Sequence, residues 1–418
     1  DVDAVMGGPP CQGVSGLNRH AKRADIVNDP RNRQVQAFYD VIEWFQPGYV
    51  LMENVLDIFK KQDGMYAKFA ASRLLNMRYQ TRLGCIAACD HGAPQGRWRA
   101  FMWGAKAGVE QLPAFPEPSH FAVFQGGVPH SASECIVGFT SEASRDAARQ
   151  MVFMGDVLSD LPEISNYTTA EAAQYASDPK TPYQMWLRRQ PPAVHMFDEQ
   201  VLKEAEHAEK AVGPLRDHRS LCLNFDDHLR CCSVPSKKDA NFREMPGVIT
   251  HGDGAVCGVV GAGCPGTTVF LPTGDLLCPR WCVTYKQGKS GGRHGCFGRM
   301  WYDEIQPTVV GRAEPHNLRL IHPTQGRVVS IRENARCQGF PDYFALAGIS
   351  HAHQDTWVRN NNLTERYQQM GNAVSPLVAD ALGRCLGIAA RGRFSPGDFV
   401  VSVPNAEYEQ VCSIVLHP

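Results

Sequence analysis

No charge of either sign dominates this 418-residue chain: 42 lysines and arginines stand against 43 aspartates and glutamates, for a formal net charge of −1. A globally basic polyanion binder is thereby excluded, and any such contact must be local. No run reads as long and apolar enough to cross a membrane, so no membrane partner is expected. No charged-then-apolar leader opens the sequence and no internal repeat punctuates it. The 15 cysteines are an odd number without a small-domain framework, which favours free thiols in a reducing compartment. The sequons at Asn166 and Asn362 then read as chance matches. Between Cys222 and Cys296 no Cys-x-x-Cys pair occurs, only Cys278-x-x-x-Cys282, so no metal is expected.

Two nucleotide-binding motifs are also missing on inspection. Gly288-Lys289-Ser290 lacks the first glycine of a phosphate loop, because Val283 stands there. Gly261-Ala-Gly-Cys-Pro-Gly266 matches a glycine-rich dinucleotide turn, but strand-like Thr267 to Pro272 follows where a helix is required.

What is present is a strand–helix alternation over the first ~105 residues. Val2 to Met6, Tyr49 to Met52, Gln80 to Ala88 and Arg99 to Gly104 read as strands, and Arg33 to Gln46 and Tyr66 to Met77 as helices. This order implies an α/β unit with a mostly parallel, Rossmann-like sheet and crossover helices. From about 110 to 300 periodicity weakens and proline, glycine and cysteine rise, so an irregular, mixed α+β region is expected. Helices return over Ile331 to Gln338 and Val374 to Leu386, and the tail after about 392 reads as extended.

Three motifs carry chemistry. In Gly7-Gly-Pro-Pro-Cys11-Gln-Gly13, two prolines fix φ and remove two donors, so the chain leaves the first strand as a stiff loop. Ligands of open α/β sheets sit beyond the carboxyl ends of strands, where this loop delivers Cys11. A buried core cysteine is the plain alternative. The polar loop that follows, with Ser15, Gly16 and Asn18, argues against it. Glu53 ends the next strand and could serve a helix N-terminus. With Cys11 at the same edge it makes a nucleophile and a proton donor. In Gln95-Gly-Arg97-Trp-Arg99, two guanidiniums share one face of an extended segment and suit a ring carbonyl or a phosphate, or else a solvated edge. Residues 286 to 299 add Lys286, Lys289, Arg293 and Arg299 among five glycines with no acid, which fits phosphate contacts or a solvated loop.

In order and spacing, GGPPCQG, MENV, QGRWR, RENARCQGFPD and GNAVSPLVADALG resemble the DNA (cytosine-5) methyltransferases, from residue 1 to about 390. GVSGLNRH, NDPRNRQ and DANFREMPGV make the chain most similar to plant-type chromomethylases, and the Cys-Phe-Thr signature of the tRNA-methylating branch is not found.

The resemblance implies a class I methyltransferase sheet and transfer of a methyl group from S-adenosyl-L-methionine to C5 of a flipped cytosine in double-stranded DNA. Cys11 would attack C6, Glu53 would bond the N3 edge, and Arg97 and Arg99 would hold the base carbonyl and the loop. Pro10, Asn372 and Val374 match cofactor-pocket positions. Gln12 and Ser15 would contact DNA beside the basic segment 286 to 299. A catalytic domain over 1–165, a target-recognition domain over 166–365, a returning helix over 366–392 and a tail over 393–418 are expected. The cofactor's glycine-rich loop, which precedes the cysteine motif in this family, is not seen. The chain therefore reads as the carboxyl part of a larger nuclear enzyme, incomplete on the N-terminal side of its sheet and inactive alone. Non-CG methylation, and histone-tail contacts through domains outside the chain, belong to the same implied picture. The competing readings are a non-catalytic chromatin-binding relative and an RNA cytosine methyltransferase.

Overall fold

The computed structural model describes residues 2–10, 33–60, 64–108, 110–122, 127–189, 215–250, 256–257, 268–283, 295–316, 318–347 and 362–391. The chain divides into two compact units, Asp1–Met151 with a segment beginning at Pro376, and Val152–Ser375.

The first unit is a four-stranded sheet. Strands β1 (Ala4–Gly7), β2 (Tyr49–Asn54), β3 (Tyr79–Ala87) and β4 (Trp98–Lys106) lie in the spatial order β1-β2-β4-β3. β1 and β2 are parallel, with Gly7 opposite Met52, whereas β4 runs antiparallel to both β2 and β3. The expected mostly parallel sheet is thus corrected: only one of its pairings is parallel. The reason lies in the connections. Helix α1 (Arg33–Phe45) precedes β2 and helix α2 (Met65–Asn76) precedes β3, so β1, β2 and β3 share a direction. From β3 to β4 the chain crosses only a short 3-10 turn, Ala88–His91, and returns beside its predecessor.

The apolar stripe of α1 explains its seat. Val35, Tyr39 and Ile42 fall on one face and pack with Val50 and Met52 of β2, Ala67, Ala70 and Leu74 of α2, and Met102 of β4. The Tyr39 hydroxyl donates to the Met52 sulfur. On a second cluster, Tyr49 and Ala105 pack with Leu386 and Ala389 of the helix Pro376–Ala390. β1 pairs only with β2 among the described residues, Met6 is half exposed and Trp44 of α1 is 83% exposed.

The second unit is irregular, with short strand pairs and short helices. Its centre is helix α3 (Ile331–Gln338), all of whose residues are buried. Helix α4 (Leu363–Asn372) places Tyr367 so that its hydroxyl donates to the Val329 carbonyl. The unit boundaries lie at 151/152 and 375/376 rather than at 165 and 365. Asp160 belongs with the second unit because Arg336 reaches it at 2.6 Å.

By length and composition alone, Leu363–Ala390 could span a membrane, contrary to the sequence expectation. Extended backbone at Ala373 breaks it into α4 and α5 (Pro376–Ala390). Leu377, Val378, Ala381, Leu382, Cys385, Ile388 and Ala389 of α5 are buried, so its apolar face is core. The tail over 393–418 lies outside the described residues.

Candidate active edge

The carboxyl end of β2 is where the chemistry gathers. β4 runs against β2 with Phe101 opposite Glu53, and side chains two residues apart on a strand share a face. Arg99 is therefore the diagonal neighbour of Glu53, and its Nε lies 3.0 Å from Glu53 Oε1. The two side chains are only 17% and 16% exposed. Burial lifts the Glu53 carboxyl above its ordinary range, against the opposing pull of Arg99 and then Arg97. Arg97 is 3% exposed, and burial lowers it to about 9, with the Arg99 charge adding to the effect. Arg99 is lowered too, chiefly by burial. A carboxyl raised by burial thus lies against Arg99, with the Arg97 charge acting on it and both cations lowered by burial, an arrangement that suits a neutral polar ring needing both donors and an acid.

The loop after β1 closes over this carboxylate. A Cβ built at Gly8 would meet Glu53 Oε2 at 2.9 Å, so only glycine lets the backbone pass so close. Asn54 Nδ2 donates to the Pro9 carbonyl at 3.1 Å, and the Asn54 carbonyl oxygen of the side chain accepts from Val55 N at 2.9 Å. Asn54 is buried and ties the proline loop to the β2 terminus. Sequence reasoning gave Gly8 and Asn54 no role. The doubled glycine before the prolines was the available signal for the first, and the amide following Glu53 for the second.

Behind β3, the turn Ala88–His91 holds a buried polar group. Burial raises Asp90 to about 7 and lowers His91 to about 4. His120, whose Nδ1 lies 2.9 Å from Ser119 Oγ, is lowered to about 3, first by burial and then by Arg149 and His91. The backbone carbonyl of Asp90 accepts from Ser119 N at 2.8 Å. None of these residues was singled out from the sequence.

Cys11, Gln12 and Ser15 lie outside the described residues, as do Lys286, Lys289 and Arg293. Pro10 is exposed at the loop that leads to Cys11. In the second unit, Asn372 is exposed at the end of α4 and Val374 is half-buried. Together they offer an exposed side-chain amide and partly exposed apolar surface.

Arg299 is a correction. It is 2% exposed, and its guanidinium donates to the carbonyls of Cys231, Val234, Pro235, His322 and Gln325 at 2.7 to 3.1 Å. Backbone oxygens occupy its donors, so it anchors the interior of the second unit and cannot reach a phosphate.

Comparison with known proteins shows the family of the chain. A family model described as C-5 cytosine-specific DNA methylase matches residues 1–387. The chain is 42% identical over 392 residues to "DNA (cytosine-5)-methyltransferase 3" of Zea mays, covering 94% of this chain and 40% of that protein. To "DNA (cytosine-5)-methyltransferase CMT3" of Arabidopsis thaliana it is 41% identical over 406 residues, covering 97% of this chain and 45% of that one. The chain therefore spans less than half the length of these relatives. Among solved structures, a prophage-encoded DNA modification methyltransferase of E. coli superimposes with a TM-score of 0.51 at 20% identity, over 93% of this chain and 79% of the other, a likeness of fold.

Proposed function

The chain belongs to the C-5 cytosine-specific DNA methylase family, and from that premise we propose that the protein methylates C5 of cytosine in double-stranded DNA in the nucleus. The observation that carries the reading is Glu53, a carboxyl raised by burial, held by Arg99 directly under the Gly8 backbone that leads into Cys11. A carboxyl of raised pKa can share a proton with N3 of a cytosine turned out of its helix. That proton withdraws electrons from C6 and prepares it for the Cys11 sulfur. Arg99, the more exposed of the two cations, takes the base carbonyl, and Arg97 braces the strand beneath it. Attack by the Cys11 thiolate forms the S–C6 bond and places negative charge at C5, as nucleophilic catalysis requires. S-adenosyl-L-methionine, when bound, supplies the methyl group, and Pro10, Asn372 and Val374 are the residues of this chain assigned to hold it. Loss of the C5 proton then restores the ring and expels Cys11.

Gln12, Ser15, Lys286, Lys289 and Arg293 are the DNA contacts of this reading, and Arg299 is withdrawn from them. Preference for non-CG sites and recognition of modified histone tails by other parts of the protein complete it.

Covalent trapping is the test. The full-length protein is mixed with S-adenosyl-L-methionine and duplex DNA containing 5-fluorocytosine, which cannot lose its C5 substituent. A denaturation-resistant adduct mapped to Cys11, and absent from Cys11→Ser, is the expected result. An adduct that survives Cys11→Ser, or none from a folded wild-type protein, overturns the proposal.

A further inference from the structure

Past the end of β1, the loop stays in step with β2 through a side chain. Gly7 is the last residue of β1 and stands opposite Met52. One step on, Gly8 passes against Glu53, where a Cβ would meet Oε2 at 2.9 Å. One step further, the buried Pro9 presents its carbonyl to Asn54, whose Nδ2 donates to it at 3.1 Å. Gly7, Gly8 and Pro9 thus follow Met52, Glu53 and Asn54 in turn, and Asn54 makes the last of these contacts with its amide. Pro9 and Pro10 carry no N–H, so the loop can be held here through its carbonyls but not through amide donors of its own.

The Asn54 amide has one orientation open to it. Its side-chain oxygen lies 2.9 Å from Val55 N, and a backbone N–H only donates. The oxygen therefore turns to Val55 and the NH2 group to Pro9, whose carbonyl only accepts. Asn54 is 5% exposed, so little solvent competes for these bonds. The plane of the Pro9 carbonyl includes the Pro10 nitrogen and α-carbon. The Pro10 ring locks φ, so one soft torsion, ψ of Pro10, separates that plane from the Cys11 α-carbon. Holding this single carbonyl fixes most of the path that the chain takes toward the cysteine. We propose that Asn54 is a positioning residue for Cys11: by donating to the Pro9 carbonyl it sets the approach of the sulfur to C6 of the cytosine. The inference rests on the reading of Cys11 as the nucleophile. Misplacing a reacting atom by about 1 Å costs about 10²-fold in rate. DNA affinity is spread over many phosphate contacts and does not depend on this one carbonyl.

Asn54→Asp and Asn54→Ser in the full-length protein decide it. Aspartate keeps the size and the oxygen that Val55 N needs, but turns a second oxygen toward the Pro9 carbonyl. Serine removes the donor and its reach without adding charge. Adduct formation with S-adenosyl-L-methionine and duplex DNA containing 5-fluorocytosine is timed in a single turnover, beside DNA affinity and melting. Both variants should form the adduct about 10²-fold more slowly, with Kd for DNA within about threefold of wild type. In Asn54→Asp the deficit should shrink as pH falls from about 8 to about 5.5, because a buried carboxyl takes up a proton readily and can then donate to Pro9. Glu53, Arg97 and Arg99 titrate in wild type as well, so the ratio of variant to wild type at each pH is the quantity read. In Asn54→Ser that ratio should stay flat. Adduct rates within about threefold of wild type in both variants overturn the proposal. So does a loss matched by DNA affinity, or one in Asn54→Asp that ignores pH. If Asn54→Asp melts below the assay temperature, the adduct rate and DNA affinity of Asn54→Ser decide. No adduct from folded wild type removes the nucleophile reading itself, and the proposal falls with it.

Discussion

Each unit buries a glutamate against arginine, and the two outcomes are opposite. At the end of β2, burial outweighs Arg99 and Arg97 and the Glu53 carboxyl rises. In α3, the Arg327 guanidinium grips Glu333 with both prongs, at 2.9 and 2.8 Å, and Ser330 N donates to the same carboxylate at 2.7 Å. There the partners overcome the same desolvation, and Glu333 falls well below the ordinary carboxylate range. The difference lies in how many donors converge and how they are fixed. Glu333 shares its helix with Arg332 and Arg336, each of which ends in several fixed acceptors. Arg336 donates to Asp160, Asp342 and the Val157 carbonyl, and Arg332 to Asp217 and the carbonyls of Arg216, Pro341 and Phe344. Glu53 has one close cation, Arg99, with Arg97 acting on it only through its charge. A satisfied pair specifies structure, and an under-satisfied one is left for a ligand.

The sharpest way to break this contrast is to remove ionisation at Glu53. Glu53→Gln keeps the shape and discards the acid. Methyl transfer by the full-length protein should fall by roughly 10²- to 10⁴-fold. Thermal stability at neutral pH should change little, because the glutamine oxygen can still accept from Arg99. Parallel measurements of kcat and of melting decide it. A variant that melts earlier and reacts normally would make Glu53 a structural partner like Glu333.

The mirror experiment removes a cation from the satisfied cluster. Arg336→Met leaves Asp160 and Asp342 buried without their shared partner. A loss of about 3–5 kcal/mol is expected in urea unfolding. A loss under about 1 kcal/mol would show that the remaining arginines re-satisfy both acids.

A third test asks whether burial alone governs the acids of the first unit. Asp90 is raised to about 7 by burial alone. The folded state therefore holds this proton more tightly than the unfolded chain does. Stability contributed by the neutral form is present at low pH and is lost as pH rises from the ordinary aspartate value toward about 7. Asp90→Asn removes that loss. Wild type should weaken by on the order of 1–3 kcal/mol between pH 5.5 and pH 8, and the variant by clearly less. Equal slopes in the two proteins would mean that another partner stabilises the Asp90 charge.

These contrasts also mark what the sequence could carry. Apolar runs and the 3.6-residue stripe of α1 place the strands and helices to within a few residues, because period and burial are local properties. Strand direction is not local: nothing in Trp98–Lys106 states that it slots between β2 and β3 in reverse. Glu53 and Arg99 were legible because strand ends and two-residue alternation fix their side. Arg299 was misread because a cation among glycines looks solvated until five carbonyls from 231 to 325 are found around it. The domain boundary at 151/152 depends on Asp160 meeting Arg336, a pairing across 176 residues that no short pattern reports.

The smallest effect tests how the satisfied cluster is oriented. Ser330 caps α3: its Oγ accepts from Glu333 N at 3.1 Å while Glu333 reaches back to Ser330 N. The same Oγ lies 3.0 Å from His218 Nδ1, and His218 Nε2 faces the Pro162 carbonyl at 2.9 Å. A carbonyl can only accept, so Nε2 carries the ring proton and Nδ1 accepts from the serine hydroxyl. Burial lowers the His218 pKa, which keeps this neutral tautomer in place. Ser330→Ala removes the cap and leaves Nδ1 without its donor, at a cost of about 1–2 kcal/mol. Ser330→Thr retains the hydroxyl and should recover most of that in the same urea titration. If alanine and threonine behave alike, the hydroxyl is not what orients Glu333, and the Arg327 fork alone accounts for the depressed acid.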